Sequence, residues 1–361
     1  MYQVFWGEFL LHDLRLSDYF LQNPELSEEV NRVAEFTFNI YPDHPHFNKL
    51  EVLVPNIIVK KDGNTIFKGR IISEKMNMDN SKQVTCESEL AFLFDSIQRP
   101  FDFQGTPEAL FTQLITTHNN QVEPYKEFKI GKLTGANLDN NNYINRSNEN
   151  YVNTFDMITD KVLNTIGGYI QIRYEEDGTY IDWLDDFTNE ESQLVSSQEI
   201  EFGENLINII AENDATETYT VVIPLGAEIE ETDEESGETI KKRLTIEEVN
   251  EGLDYLVNET AVAKYGWIVA PISETTWNDI TVANNLKTKA QEFLNTQGVM
   301  LKSTLELNAL DLNVVDKNID EFKMGEYIKV KSMPHNLSKT YLLTKKILPL
   351  SKPENMNITL G

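Results

Sequence analysis

The sequence predicts an α+β chain that is mostly β and is divided into several domains. Apolar and polar residues alternate in short runs bounded by turn residues from Tyr2 to Leu93, and again from Glu199 to the end. Between and within these runs, three stretches switch to apolar spacings of three and four, the period of a helix. At 361 residues the chain exceeds what one core usually organises, so roughly two to four units follow.

Glu35 to Tyr41 alternates as a strand, and Ile57 to Lys60 and Thr65 to Lys75 flank Lys61-Asp62-Gly63-Asn64, a tight-hairpin sequence. Val84 to Glu87 adds a strand, and a short helix near Leu90 to Asp95 closes a first β-barrel domain over residues 1–97. Thr106-Pro107-Glu108 is a helix start, with Leu110, Phe111, Leu114 and Ile115 on its apolar face. Val152, Phe155, Ile158, Val162 and Ile166 mark a second helix ended by Gly167-Gly168. A hairpin around Asp177-Gly178 then completes an α+β domain over 98–197. Strands at Glu199 to Ile210 and Tyr219 to Pro224 open a second barrel, assigned to 198–227 and 298–361. It is interrupted by an inserted α+β domain over 228–297. The insertion holds an acidic run from Glu228 to Glu238, expected at an exposed hairpin tip, and a capping-box spacing at Thr245-Ile246-Glu247-Glu248. It also holds a helix marked by Val282, Leu286, Ala290, Phe293 and Leu294 and ended by Gly298. Ile328 and Val330 alternate with Lys329 and Lys331, a turn follows at Met333 to Leu337, and Tyr341 to Leu350 answers as the next strand. Pro353 interrupts the ladder before a last strand at Met356 to Leu360.

Composition narrows the function. The chain carries 31 basic and 59 acidic residues, a formal net charge of −28 that repels phosphate, so sequence-specific nucleic-acid binding is not expected. No apolar run is long enough to span a bilayer, and the amino terminus lacks a secretion signal, so cytoplasmic synthesis is expected. Cys86 is the single cysteine, which excludes an internal disulfide, and its strand pattern beside Val84 predicts a buried apolar role.

Few residues suggest chemistry. His44 and His46 stand close in Asp43-His44-Pro45-His46, where Pro42 and Pro45 favour a rigid turn over a metal site. Asp182, Asp185 and Asp186 could supply a glycosidase carboxylate pair but read as a solvated strand end, with Trp183 packing on a strand face. Asp139-Asn140-Asn141-Asn142 has a calcium-loop character that Ile144 and Asn150, at the sixth and twelfth positions, do not support. No zinc helix, nucleophile elbow or phosphate loop is present. Catalytic, cofactor-binding and metal residues are therefore all expected to be none, and the chain is expected not to be an enzyme.

Separated segments carry a resemblance. They are Glu35 to Pro45, Ser81-Lys82-Gln83-Val84-Thr85-Cys86-Glu87, Asp95 to Pro100, Ile223-Pro224-Leu225-Gly226-Ala227, Met324 to Val330, Met333 to Leu337 and Pro353 to Gly361. In this order they resemble the phage tail hub or prophage tail endopeptidase family, the module that precedes the hydrolytic domain in tail-associated lysins. The resemblance implies a baseplate-hub-like fold and a homotrimeric ring at the virion tail tip that joins the tube and leaves a DNA path. The implied neighbours are a distal tail or tube protein, a tape-measure protein, and a fibre or lysin module after Gly361. The alternative it implies is a tail-associated peptidoglycan endopeptidase. Two further expectations follow: acidic side chains line the channel, and the two barrels are an internal duplication, six of them surrounding the three-fold axis.

Overall fold

In the computed structural model of the chain, which describes residues 1–138, 142–185, 194–232, 239–278, 280–296 and 302–361, turn chemistry sets the N-terminal strands. Asp62 and Gly63 both take positive φ, 49° and 88°, and close the hairpin of β5 (Ile57–Lys61) and β6 (Asn64–Met76) as Asp-Gly predicts. The other strands here are β1 (Tyr2–Trp6), β2 (Phe9–Asp13), β3 (Gln22–Glu29), β4 (Glu35–Ile40) and β7 (Lys82–Ser88). Strand β4 buries Phe36, Phe38 and Ile40, and β7 buries Val84 and Cys86, so period-two alternation puts one face of each strand in the core.

The next body begins with a 3-10 helix, Glu89–Asp95, the short helix expected there. Its Leu90, Phe92 and Leu93 pack into the core of the following segment, so that core starts before residue 98. Minor strands β8 (Ile97–Gln98), β9 (Phe101–Gly105), β10 (Lys129–Ile130), β11 (Ile144–Asn148) and β12 (Val152–Asn153) frame two helices. Helix α1 (Pro107–Asn119) is capped by the Thr106 hydroxyl, which accepts from the Ala109 N–H at 3.2 Å. It buries Leu110, Phe111, Leu114 and Ile115. Helix α2 (Thr154–Ile158) is capped by Asn153, continues as a π turn over Thr159–Leu163, and gives way to Gly167 and Gly168, both at positive φ. Val152 is a strand residue just before this helix. The hairpin β13 (Tyr169–Glu175) and β14 (Gly178–Leu184) follows.

After β15 (Ile200–Glu201) and β16 (Leu206–Asp214), residues 211–304 form a compact unit of their own, a span that includes 228–297 and extends it at both ends. Its core holds Val222, Leu244, Ile246, Leu256, Leu286, Ala290 and Leu294. It contains β17 (Val221–Val222), β18 (Glu228–Thr232), β19 (Thr239–Arg243), β20 (Leu256–Val257), α3 (Glu259–Tyr265) and α4 (Ala283–Thr296). Strands β18 and β19 pair antiparallel, as the hairpin expectation requires; the tip of the acidic run, and Gly298, lie outside the described residues. The capping box does not form. Thr245 Oγ1 donates to Glu247 Oε2 at 2.9 Å, and only a 3-10 turn over Glu247–Val249 follows, with no side-chain cap. Val282 is half-exposed and stands before α4.

Residues 1–210 with 305–361 form the other unit. The chain re-enters it along β21 (Lys302–Ala309) and ends with β22 (Tyr327–Ser332), β23 (Leu337–Pro349) and β24 (Asn357–Leu360). Asn336, at φ 50°, turns β22 into β23. The first half of β23 pairs with β22, and its second half pairs with β24 on one side and β3 on the other. Through that seam, Lys345 opposite Glu29 to Pro349 opposite Glu25, the strands from both ends of the chain join in one 13-stranded sheet, β16-β21-β24-β23-β3-β4-β7-β6-β5-β1-β2, with β22 beside β23 and β15 beside β22. One apolar core runs under it, from Val4, Leu26 and Phe36 to Ile328, Leu343 and Leu360.

Candidate functional site

The arrangement closest to catalytic geometry is one the sequence did not reveal. Ser96 follows the 3-10 helix, Gln98 lies on β8, His118 lies in the last turn of α1, and Thr154 opens α2. Gln98 Nε2 donates to Thr154 Oγ1 at 2.8 Å, the two hydroxyls of Thr154 and Ser96 lie 2.6 Å apart, and Ser96 Oγ is 2.7 Å from His118 Nδ1. His118 Nε2 lies 3.1 Å from the Lys126 carbonyl, which fixes the tautomer: Nε2–H donates and Nδ1 accepts from Ser96. A serine hydroxyl on an imidazole is the start of a nucleophile and base pair. Here all four side chains are buried, the imidazole is turned by a backbone carbonyl instead of a carboxylate, and burial holds the His118 pKa below its ordinary value. The network joins α1, α2 and β8 and presents no face to a substrate. Ser96 and Gln98 come from one segment and His118 and Thr154 from two others, so no local motif announces it.

The histidine pair behaves as a turn. His44 Nε2 lies 2.9 Å from the Leu11 carbonyl and its Nδ1 accepts the His46 N–H at 3.1 Å, so both ring nitrogens are occupied by backbone. His12, on β2, is buried nearby in the same way, with Nδ1 accepting the Leu21 N–H at 3.0 Å. Burial, and to a smaller extent His44, lower its pKa to about 4 against the opposing pull of Asp13. Among the described residues no cluster of three metal-ligating side chains occurs.

Asp182 corrects the expectation of a solvated strand end. It is buried, it pairs with Arg173 Nε and Nη2, and it accepts the Lys132 N–H at 2.7 Å. The strand turns this carboxylate inward, and burial is tolerated because both oxygens are paired. Asp185 is buried as well. Asp186 lies outside the described residues, as do Asp139, Asn140 and Asn141 of the calcium-loop sequence. Trp183 packs as expected, fully buried and stacked on Phe111 with ring centroids 5.5 Å apart. Cys86 is buried, and its thiol pKa is pushed well up by desolvation.

Beside the seam lies a cavity of about 480 Å³ whose lining includes Tyr2, Glu28, Lys61, Asp311, Glu321 and Lys346. Lys346 Nζ meets Glu28 Oε2 at 2.9 Å and Lys61 pairs with Glu321. Burial pulls the Lys346 pKa down, yet Glu28, with Glu321 and Asp311, more than offsets it and the net shift is upward. Burial, then Glu321 and Asp311, push the Tyr2 phenol upward. These charges are engaged with one another, so the arrangement clamps β3 to β23 and β5 to the segment that holds Glu321. The doublets Glu28-Glu29 and Lys345-Lys346, which face each other across the seam, were the sequence signal for it.

Residues 195–361 match the family model described as prophage endopeptidase tail, which bears out the resemblance drawn from the sequence. Among solved structures, the chain is similar to the prophage tail protein gp18 from Listeria monocytogenes EGD-e, with 14% identity over 99% of this chain and 93% of that one, and a TM-score of 0.58. It is similar to the 43 kDa tail protein of prophage MuSo2 from Shewanella oneidensis, with 10% identity over 100% and 98% and a TM-score of 0.63. It is also similar to the tail protein from Neisseria meningitidis MC58, with 14% identity over 99% and 95% and a TM-score of 0.63. At such identities the likeness is one of fold. No curated protein sequence matches the chain. No helix among the described residues is long and apolar enough to cross a membrane.

Proposed function

We propose that the chain is the structural hub of a phage or prophage tail tip, a homotrimer that joins the tail tube to the tip and leaves a path for DNA. The observation that carries this is the seam. A sheet that closes the two ends of the chain over one core, locked by Glu28 and Lys346, is built to transmit load between what docks on either side. In this reading the seven N-terminal strands and the six later ones are the two barrel-like halves, sharing the β3–β23 ladder. A tube or distal tail protein, a tape-measure protein and a fibre or lysin module are the neighbours. The net charge of −28 suits a channel that DNA passes without binding.

The second reading, a peptidoglycan endopeptidase, draws on the family description and on Ser96 and His118 at 2.7 Å. Incubation with purified peptidoglycan separates the two. The hub reading expects no release of soluble peptides; release that Ser96→Ala or His118→Gln abolishes while the fold is kept would overturn it.

A further inference from the structure

Within the unit of residues 211–304, the segment Trp267-Ile268-Val269-Ala270 lies beside β17. The Ile268 carbonyl accepts the N–H groups of Thr220 and Val221 at 2.8 and 3.0 Å, Ile268 N–H donates to Thr220 Oγ1 at 2.8 Å, and Ala270 N–H donates to the Val221 carbonyl at 2.9 Å. Val221 and Val269 are parallel bridge partners. The backbone groups of Ile268 and Ala270 are thus spent on β17, while those of Trp267 and Val269 point the other way. Among the described residues neither has a backbone partner on that side. This is a short extended segment, paired with β17 through one bridge and open on its other side, and its side chains are apolar: Trp267 is 57% exposed, Val269 41% and Ile272 44%. Proteins usually blunt such edges with lysine, proline or a covering loop. An edge left open with apolar side chains marks a docking site.

The surroundings choose the occupant. Residues 211–304 carry 18 acidic and 7 basic side chains, and the exposed Asp254 and Glu274 flank Tyr255, whose ring meets that of Trp267 at 5.6 Å, and Ile272. At this edge a second copy would set acidic side chains against acidic ones, so like charge disfavours it here, whichever face the trimer uses. We propose that the 267–270 edge takes an extended segment of a partner protein by strand addition, the segment carrying basic side chains between apolar ones. The partner's backbone would meet Trp267 and Val269, and its apolar side chains would rest on Trp267 and Ile272.

The test uses the full chain and a labelled peptide of alternating lysine and valine about nine residues long, read by fluorescence anisotropy, with a glutamate and valine peptide as control. The expected result is binding of the lysine peptide alone. Val269→Pro, which removes an outward N–H and leaves the β17 bonds intact, and Trp267→Lys should each weaken it roughly tenfold or more with unchanged circular dichroism. No binding, equal binding of the glutamate peptide, or binding unaffected by both variants would overturn the proposal. So would a fall in the solution mass of the chain on Val269→Pro, because the edge would then hold a second copy. A monomeric wild-type chain would defeat the hub reading and leave the peptide result standing, so the two fail separately.

Discussion

At the scale of single residues, the buried histidines make stability depend on pH in a defined direction. His12 ordinarily titrates near 6.5 and in the folded chain near 4, so the unfolded state binds more protons between those values. Its contribution is complete above about pH 6.5 and is lost as pH falls toward 4, amounting to about 2 kcal/mol by pH 5. His12→Asn keeps an acceptor for the Leu21 N–H and cannot be protonated. Urea unfolding at pH 7 and pH 5 should show a smaller difference in this variant than in the parent, and an equal difference would refute the assignment. Neither this site nor the Ser96–His118 network was legible beforehand, since a histidine's tautomer is set by backbone groups that only the fold brings near. Cys86 and Trp183 were legible because a strand's alternation alone puts them inside.

At the scale of elements, local chemistry was read well where one bond decides. Thr106 caps α1, and Thr106→Ala should cost about 1 kcal/mol in thermal or urea unfolding. Thr245 has the same sequence credentials but caps nothing, so Thr245→Ala should stay within about 0.5 kcal/mol of the parent. Equal losses would mean that the hydroxyls act through something other than capping. The contrast has a physical cause: Thr106 is followed by Pro107 and a full apolar face, whereas Ile246 is buried in its own core and turns the chain before a helix can start. Hairpins were legible for the same reason as α1, through Asp62-Gly63 and Asn336, whose φ angles their side chains permit.

At the scale of the whole chain, the decisive feature is the seam, and pattern alone could not show it. Leu26 and Leu348 are each ordinary strand residues, and nothing local says that they face each other across almost the full length of the sequence. Two sheets therefore read as separate where one core is shared. Leu26→Ala should cost about 2–5 kcal/mol and, in hydrogen exchange, should deprotect β4 and β24 together. Loss confined to the N-terminal strands would show two independently stable halves. The central claim, that this scaffold works as a trimeric hub, is tested most directly by the mass of the purified chain in solution, measured by light scattering on a size-exclusion column at several concentrations. The account predicts a species of three times the 41.5 kDa chain mass; a chain that stays at its monomer mass across that range would contradict it.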